Sequence, residues 1–325
     1  MATVSEPPVM SSPELARGRR FGHIHVWGAI GFVSVAFIVV VMAQWVADGL
    51  FTYGTGSDDF STGRLVVLRL VEFSQFLALL VLLAYFVVRP LLARRRLHFD
   101  GLLLLAVLLL NFWDPLDNYL NFAFQYNAHL IHVNSWGHYF PGWASGPDVW
   151  VIPVFFILGA YTWAFFGAAR MGSRALDWLT VRWPERGTAT KLLVVWALCA
   201  LLVAVSELIY LQSYSFGNLA TPDALTVWAD RFYGWPVYNP IFFALPWVAL
   251  AWLRWGRDAD GLSFVERGAS PSFVEGRPHL WALCRFMAIF AYAQVTYMLL
   301  YFLPWNLLTT FAEAPPSTPS YLPLP

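Results

Sequence analysis

Seven stretches of about 20 mostly apolar residues constrain this chain more than anything else in it: 26–47, 68–92, 100–123, 149–169, 191–213, 236–255 and 281–303. Each is long enough to cross about 30 Å of hydrocarbon as a helix. Within lipid a backbone must satisfy its own hydrogen bonds, and a helix does so segment by segment. The expectation is an all-α polytopic membrane bundle of about seven transmembrane helices, forming one domain over 21–310. Only 12% of the residues are charged, about half the share of a soluble domain. The first run is too long for a signal-peptide core, and Met42-Ala43-Gln44 offers no small-residue cleavage site, so it reads as a retained anchor.

The basic residues are sorted along the chain. Arg17, Arg19 and Arg20 precede the first run and Arg94, Arg95 and Arg96 follow the second. Arg170, Arg174, Arg182, Arg186 and Lys191 lie between the fourth and fifth, and Arg254, Arg257, Arg267 and Arg277 between the sixth and seventh. The alternate loops hold Arg64 and Arg231 alone, with Arg69 just inside the second run. The positive-inside rule then puts the N-terminus in the cytoplasm, the C-terminus outside and the protein in the cell membrane. Residues 1–20 and 311–325, rich in Pro, Ser and Glu, are expected to be disordered tails.

Several function classes fall away. Formal net charge is zero with no basic stripe, so a nucleic-acid partner is not expected. Lys191 is the single lysine and lies at the start of the fifth run, which excludes a retinal Schiff base on the seventh. Cys199 and Cys284 sit in apolar runs without a paired or zinc-type spacing. No G-x-S-x-G, P-loop or H-E-x-x-H motif occurs.

What remains is a concentration of polar residues towards one end of the runs. In Asn111-Phe-Trp-Asp-Pro-Leu-Asp-Asn-Tyr-Leu-Asn121, the residues Asn111, Asp114, Asp117, Asn118 and Asn121 would share a helix face roughly 120° wide. A charged residue at mid-bilayer costs roughly 2.5–3.5 kcal/mol on insertion scales, so such a face belongs to a protein interior or a wet cavity. Pro115 should kink or restart the helix, with Asp114 as a possible N-cap. Glu72 and Gln75 in the second run, Glu207 and Tyr210 in the fifth, Asn239 in the sixth, and Gln294 and Tyr297 in the seventh fall at the same depth. Glu72 could instead pair with Arg69 one turn away, and Glu207 could serve as interhelical glue. The other half of the runs is Leu, Val, Ala and Phe, and no polar track crosses the membrane, which argues against a channel or transporter. His129, His132 and His138 form a metal-ligand or proton-handling cluster, or an ordinary interfacial rim.

Carboxyls in an apolar pocket suit acid–base chemistry on a hydrophobic small molecule, because burial favours the protonated form of one while a better solvated neighbour stays ionised. The chain length, the seven-segment layout, the arginine-rich composition in the style of actinobacterial chains and the central N-F-W-D-P-L-D-N-Y segment resemble the AveC family of spirocyclases. That family is associated with spiroketal formation in avermectin-type macrolides. The resemblance covers about residues 20–310 and implies closure of a polyketide-type dihydroxy-ketone to a spiroketal without metal or redox cofactor. The residues named for it come from depth and spacing: Asp114, with Asp117, Glu72 and Glu207, as the acid–base set, and Asn111, Asn118, Asn121, Gln75, Tyr210, Asn239, Gln294 and Tyr297 as substrate contacts. Two alternatives stand beside it, a non-catalytic lipid- or polyketide-binding or accessory subunit, and a metalloenzyme using His129, His132 or His138. Oligomeric state is left open.

Overall fold

The computed structural model describes residues 22–146, 149–269, 275–312 and 317–324; the N-terminal tail expected to be disordered lies outside them. Seven helices follow in order: α1 His23–Asp48, α2 Thr62–Leu92, α3 Phe99–Asn118, α4 Val154–Arg182, α5 Thr188–Gln212, α6 Asn239–Trp255 and α7 Pro278–Thr309. Six are long and apolar enough to span a bilayer. The seventh, α6, has 17 residues and carries Pro246 inside it. The all-α membrane bundle is the observed fold.

The helices divide into wall and interior. In α1, α2 and α5 few residues of the apolar stretch are buried, while in α3 and α7 most are. Val33, Leu70, Leu92, Val181 and Leu201 stand bare on the outside, the inverse of a soluble surface and the form that lipid solvates. α1 packs on α7, α2 on α4, and α4 and α5 both on α6, with α3 between α4 and α7. Gly159 lets α2 and α4 approach closely: a Cβ there would lie 2.1 Å from the carbonyl oxygen of Gln75. At the arginine-rich end Asp100 of α3 takes Arg254 of α6 at 2.9 Å and also pairs with Arg170 of α4.

The opposite end is covered by folded loops that periodicity does not predict. Three antiparallel pairs form there: β1 Phe124–Tyr126 with β4 Phe216–Asn218, β2 His132–Asn134 with β3 Val151–Pro153, and β5 Thr226–Val227 with β6 Trp235–Pro236. Gln125, fully buried, knots them together. Its amide nitrogen donates to the carbonyls of Val149 (3.0 Å) and Pro323 (2.6 Å), and its oxygen accepts from the backbone of Val151 and Tyr126.

That contact corrects the expectation of a loose C-terminal tail. Residues 317–324 form a strap across this end, with Tyr321 and Leu322 buried. Ala128 N donates to Tyr321 O at 2.8 Å. The loop after α1, featureless in sequence, is the strap's seat: Ser57 and Asp58 N donate to Ser320 Oγ, and Ser320 N donates to Asp58 Oδ2 at 2.6 Å.

Candidate active site

The polar run at the end of α3 is not α-helical. From Leu109 to Asn118 the chain winds as a 3₁₀ helix, whose three-residue turn stacks positions three apart. Asn111, Asp114 and Asp117 therefore stack more tightly than an α-helix would allow. Pro115, with no N–H to donate, sits inside this segment.

Asp114 is fully buried. Its Oδ1 accepts from the hydroxyls of Tyr161 (2.7 Å) and Tyr126 (2.9 Å), and the Trp150 indole lies beside it. Tyr297 donates in turn to the Tyr161 oxygen at 3.0 Å, making a relay from α7 through α4 to α3. Burial, with Asp114 alongside, holds the Tyr126 hydroxyl far above the usual tyrosine range, so it stays a donor. Asp117, one turn on, accepts from the Tyr301 hydroxyl at 3.0 Å. Glu207 of α5 accepts from the Trp235 indole at 3.1 Å and from the Asn239 amide. Among the described residues no cation pairs with these three carboxyls.

Asp117 and Glu207 line one cavity of about 100 Å³ between α3, α4, α5 and α6. Tyr126, Tyr161, Tyr210, Tyr301 and Asn239 bring hydroxyls and an amide to its wall, and Phe124, Phe156, Phe216, Phe243 and Trp247 make the rest aromatic. Two buried polar atoms on this wall, Asn239 Oδ1 and Trp247 Nε1, have no hydrogen-bond partner. Gln75 accepts from the Tyr210 hydroxyl at 3.3 Å and from the Trp163 indole, closing the side towards α2.

Several expected site residues are held elsewhere. Glu72 is buried but does not line the cavity. It pairs with Arg69 at 2.5 Å and accepts from Ile131 N at 2.8 Å, so it anchors the loop before β2. The Asn111 amide bonds to Leu108 O and that of Asn121 to Thr309 O. Asn118 accepts from Ala123 N and Phe124 N, shaping the turn into β1. The Gln294 oxygen takes the Trp113 indole. Five residues joined to the acid cluster by depth or by helical spacing are thus clamps for loops and helices, because the direction of each side chain decides who meets.

The three histidines do not assemble. His132 uses both ring nitrogens, on Leu130 O (2.8 Å) and Tyr53 N (2.9 Å). His129 stacks on Phe60 at 4.5 Å, and burial with Arg69 nearby lowers its imidazole below the ordinary range. His138 is exposed beside Tyr139. Among the described residues no three His, Cys, Asp or Glu side chains form a metal-holding group.

Sequence reasoning missed Tyr161, Tyr126 and Trp235. Tyr161 and Thr162 are the only hydroxyls in the apolar first half of α4, and the same test that singles out Asp114, a polar group where lipid would refuse it, would have found Tyr161 had hydroxyls been counted.

Fold and site together define a polytopic helical membrane protein with a carboxylate–tyrosine cavity at the end of the bundle away from its arginines. The AveC-like spirocyclase family model matches residues 94–321, which spans α3 to the strap and thus every residue of the cavity. The chain belongs to that family, which supports a cyclase-type role. No curated protein and no solved structure matches it.

Proposed function

We propose that this protein closes a hydrophobic dihydroxy-ketone of polyketide type into a spiroketal by acid–base catalysis, with Asp117 and Glu207 as the reacting pair. One observation carries the reading: two carboxyls from different helices, without a cation, share an aromatic-walled cavity. In the net reaction one hydroxyl adds to the ketone to give a hemiketal. The hemiketal oxygen is protonated and leaves as water, and the second hydroxyl attacks the resulting oxocarbenium and loses its proton. Asp117, steadied by Tyr301, delivers the proton to the departing oxygen. Glu207, held by Trp235 and Asn239, takes the proton of the attacking hydroxyl, and its charge and the aromatic faces stabilise the oxocarbenium. Asp114 acts through Tyr161 and Tyr126, as a positioning residue rather than the acid that touches substrate.

Because such closures also proceed without catalyst, the cavity's contribution is the face on which the ring closes. The protein works in the cell membrane, with its N-terminus in the cytoplasm and the cavity towards the outer leaflet. The probe is 1,9-dihydroxynonan-5-one, whose spiroketal is chiral at the spiro carbon. Reconstituted protein is expected to give one enantiomer in excess. Asp117→Asn and Glu207→Gln are each expected to lower the enzymatic rate at least 100-fold, in the range of lost general acid–base catalysis, and to return a racemic product. Variants that keep rate and configuration would leave a binding or accessory role in its place.

A further inference from the structure

Below the cavity the seam between α4 and α5 does not close. α4 turns the small residues Ala168, Gly172 and Ala175 to it, and such rows ordinarily let two helices come into contact. Here contact is made at Gly172 and lost around it. A fissure of about 120 Å³ results, walled by α4 from Ala168 to Ala175 and by α5 from Val195 to Leu202. It starts one turn from Ala164 and Val203 of the cavity wall. Its rims, Met171 and Leu198, are mostly exposed on the lipid-facing side. Midway along its α4 wall Gly172 meets Ala251 and Val195 too tightly for a Cβ, which would lie 2.7 and 3.1 Å away.

The cavity itself is short of room. An apolar void of about 150 Å³ takes a benzene ring, so about 100 Å³ leaves no room for an alkyl chain beside the reacting carbonyl. Phe124 and Phe216 of the paired β1 and β4 roof one side and Gln75 with Trp163 and Tyr210 close another. The unpartnered Asn239 Oδ1 and Trp247 Nε1, at 8% and 2% exposure, wait on the cavity wall for a polar head. The nearest apolar space along α4 and α5 is the fissure, one turn away.

Resting on the spirocyclase reading of the cavity, we propose that the α4–α5 fissure holds the alkyl tail of the substrate, which enters sideways from the lipid while its dihydroxy-ketone head reaches Asp117 and Glu207. The occupant is an unbranched or lightly branched chain continuous with the reacting head. A bilayer acyl chain is the rival occupant.

Two measurements test this. The first compares kcat/KM for 1,9-dihydroxynonan-5-one with and without a dodecyl chain on C1. In Ala168→Leu, which fills the fissure from its α4 wall, the long-to-short ratio is expected to fall at least tenfold relative to the natural chain. Partitioning into the membrane cancels in that comparison because it is the same for both proteins. Leu198→Trp, on the other wall, should do the same. The second needs no turnover: the dodecyl spiroketal carrying a diazirine at mid-chain is expected to crosslink to α4 and α5 peptides around Met171 and Leu198. Unlabelled dodecyl spiroketal should compete it away, and excess phosphatidylcholine should not. An unchanged ratio in both variants, or crosslinks confined to other helices, overturns the proposal, and full competition by phosphatidylcholine assigns the fissure to a lipid and also overturns it. Crosslinking at the fissure in a protein that turns over neither probe would instead sink the spirocyclase reading and leave the tail site standing.

Discussion

Asp114 and Glu72 show how two buried carboxyls in one bundle take different work. Glu72 is spoken for by Arg69 and Ile131 N, so its removal is a stability event. Glu72→Ala leaves the Ile131 N–H without its acceptor, and an orphaned buried donor costs about 1–3 kcal/mol. Denaturant unfolding in detergent should show that loss, while the product's spiro configuration stays that of the natural chain. Asp114 instead gathers tyrosines. Tyr161→Phe removes a donor from Asp114 and an acceptor from Tyr297 in one step. It is expected to lower stability by about 1–3 kcal/mol and to reduce kcat more than KM for the dihydroxy-ketone probe, since phenylalanine keeps the ring on the cavity wall and removes only the hydroxyl that joins Asp114 to Tyr297. An effect on KM alone would break the link between the relay and the reacting pair. The polarity of Asn111, Asn118 and Asn121 was legible, yet their targets are backbone carbonyls and amides, which no side-chain pattern encodes.

At the scale of elements, the 3₁₀ segment and the strap are the two departures from a plain bundle. The 3₁₀ turn follows from Pro115 and from the tyrosine and tryptophan partners waiting for Asp114 and Asp117, which repay its poorer backbone geometry. The strap is held at one tight point. Gly56 has φ +75° and a Cβ there would sit 2.3 Å from Ser320 Oγ. Gly56→Ala is therefore expected to lift residues 317–324, seen as faster cleavage of the C-terminus by carboxypeptidase. Hydrogen bonds from Ser320 hold the Asp58 carboxyl below the ordinary carboxylate range. A depressed folded value means the contact is at full strength above the unfolded value, and is lost as pH falls through the folded one. Strap protection should thus be flat from pH 7 down to about 4 and drop below it; loss of protection on raising pH would contradict this.

For the whole molecule, the decisive pattern is that interior helices α3, α4 and α7 are ringed by apolar walls, with folded polar loops at one end and arginines at the other. In a chain whose Cys199 and Cys284 are replaced by alanine, Asp59→Cys and Arg95→Cys, both exposed, read the orientation. A membrane-impermeant maleimide on intact cells is expected to label position 59 and not 95; the reverse would invert the topology. The number of helices, their order and the crowding of polar groups at one end could all be read from the chain, because hydropathy and charge add up locally along a segment and each segment settles its own backbone bonds in lipid. Which carboxyls would share a cavity could not. Asp117 and Glu207 meet, Glu72 turns away, and the α4–α5 seam stays open because of how helices pack and where each side chain points, and these are set by neighbours far apart in the chain.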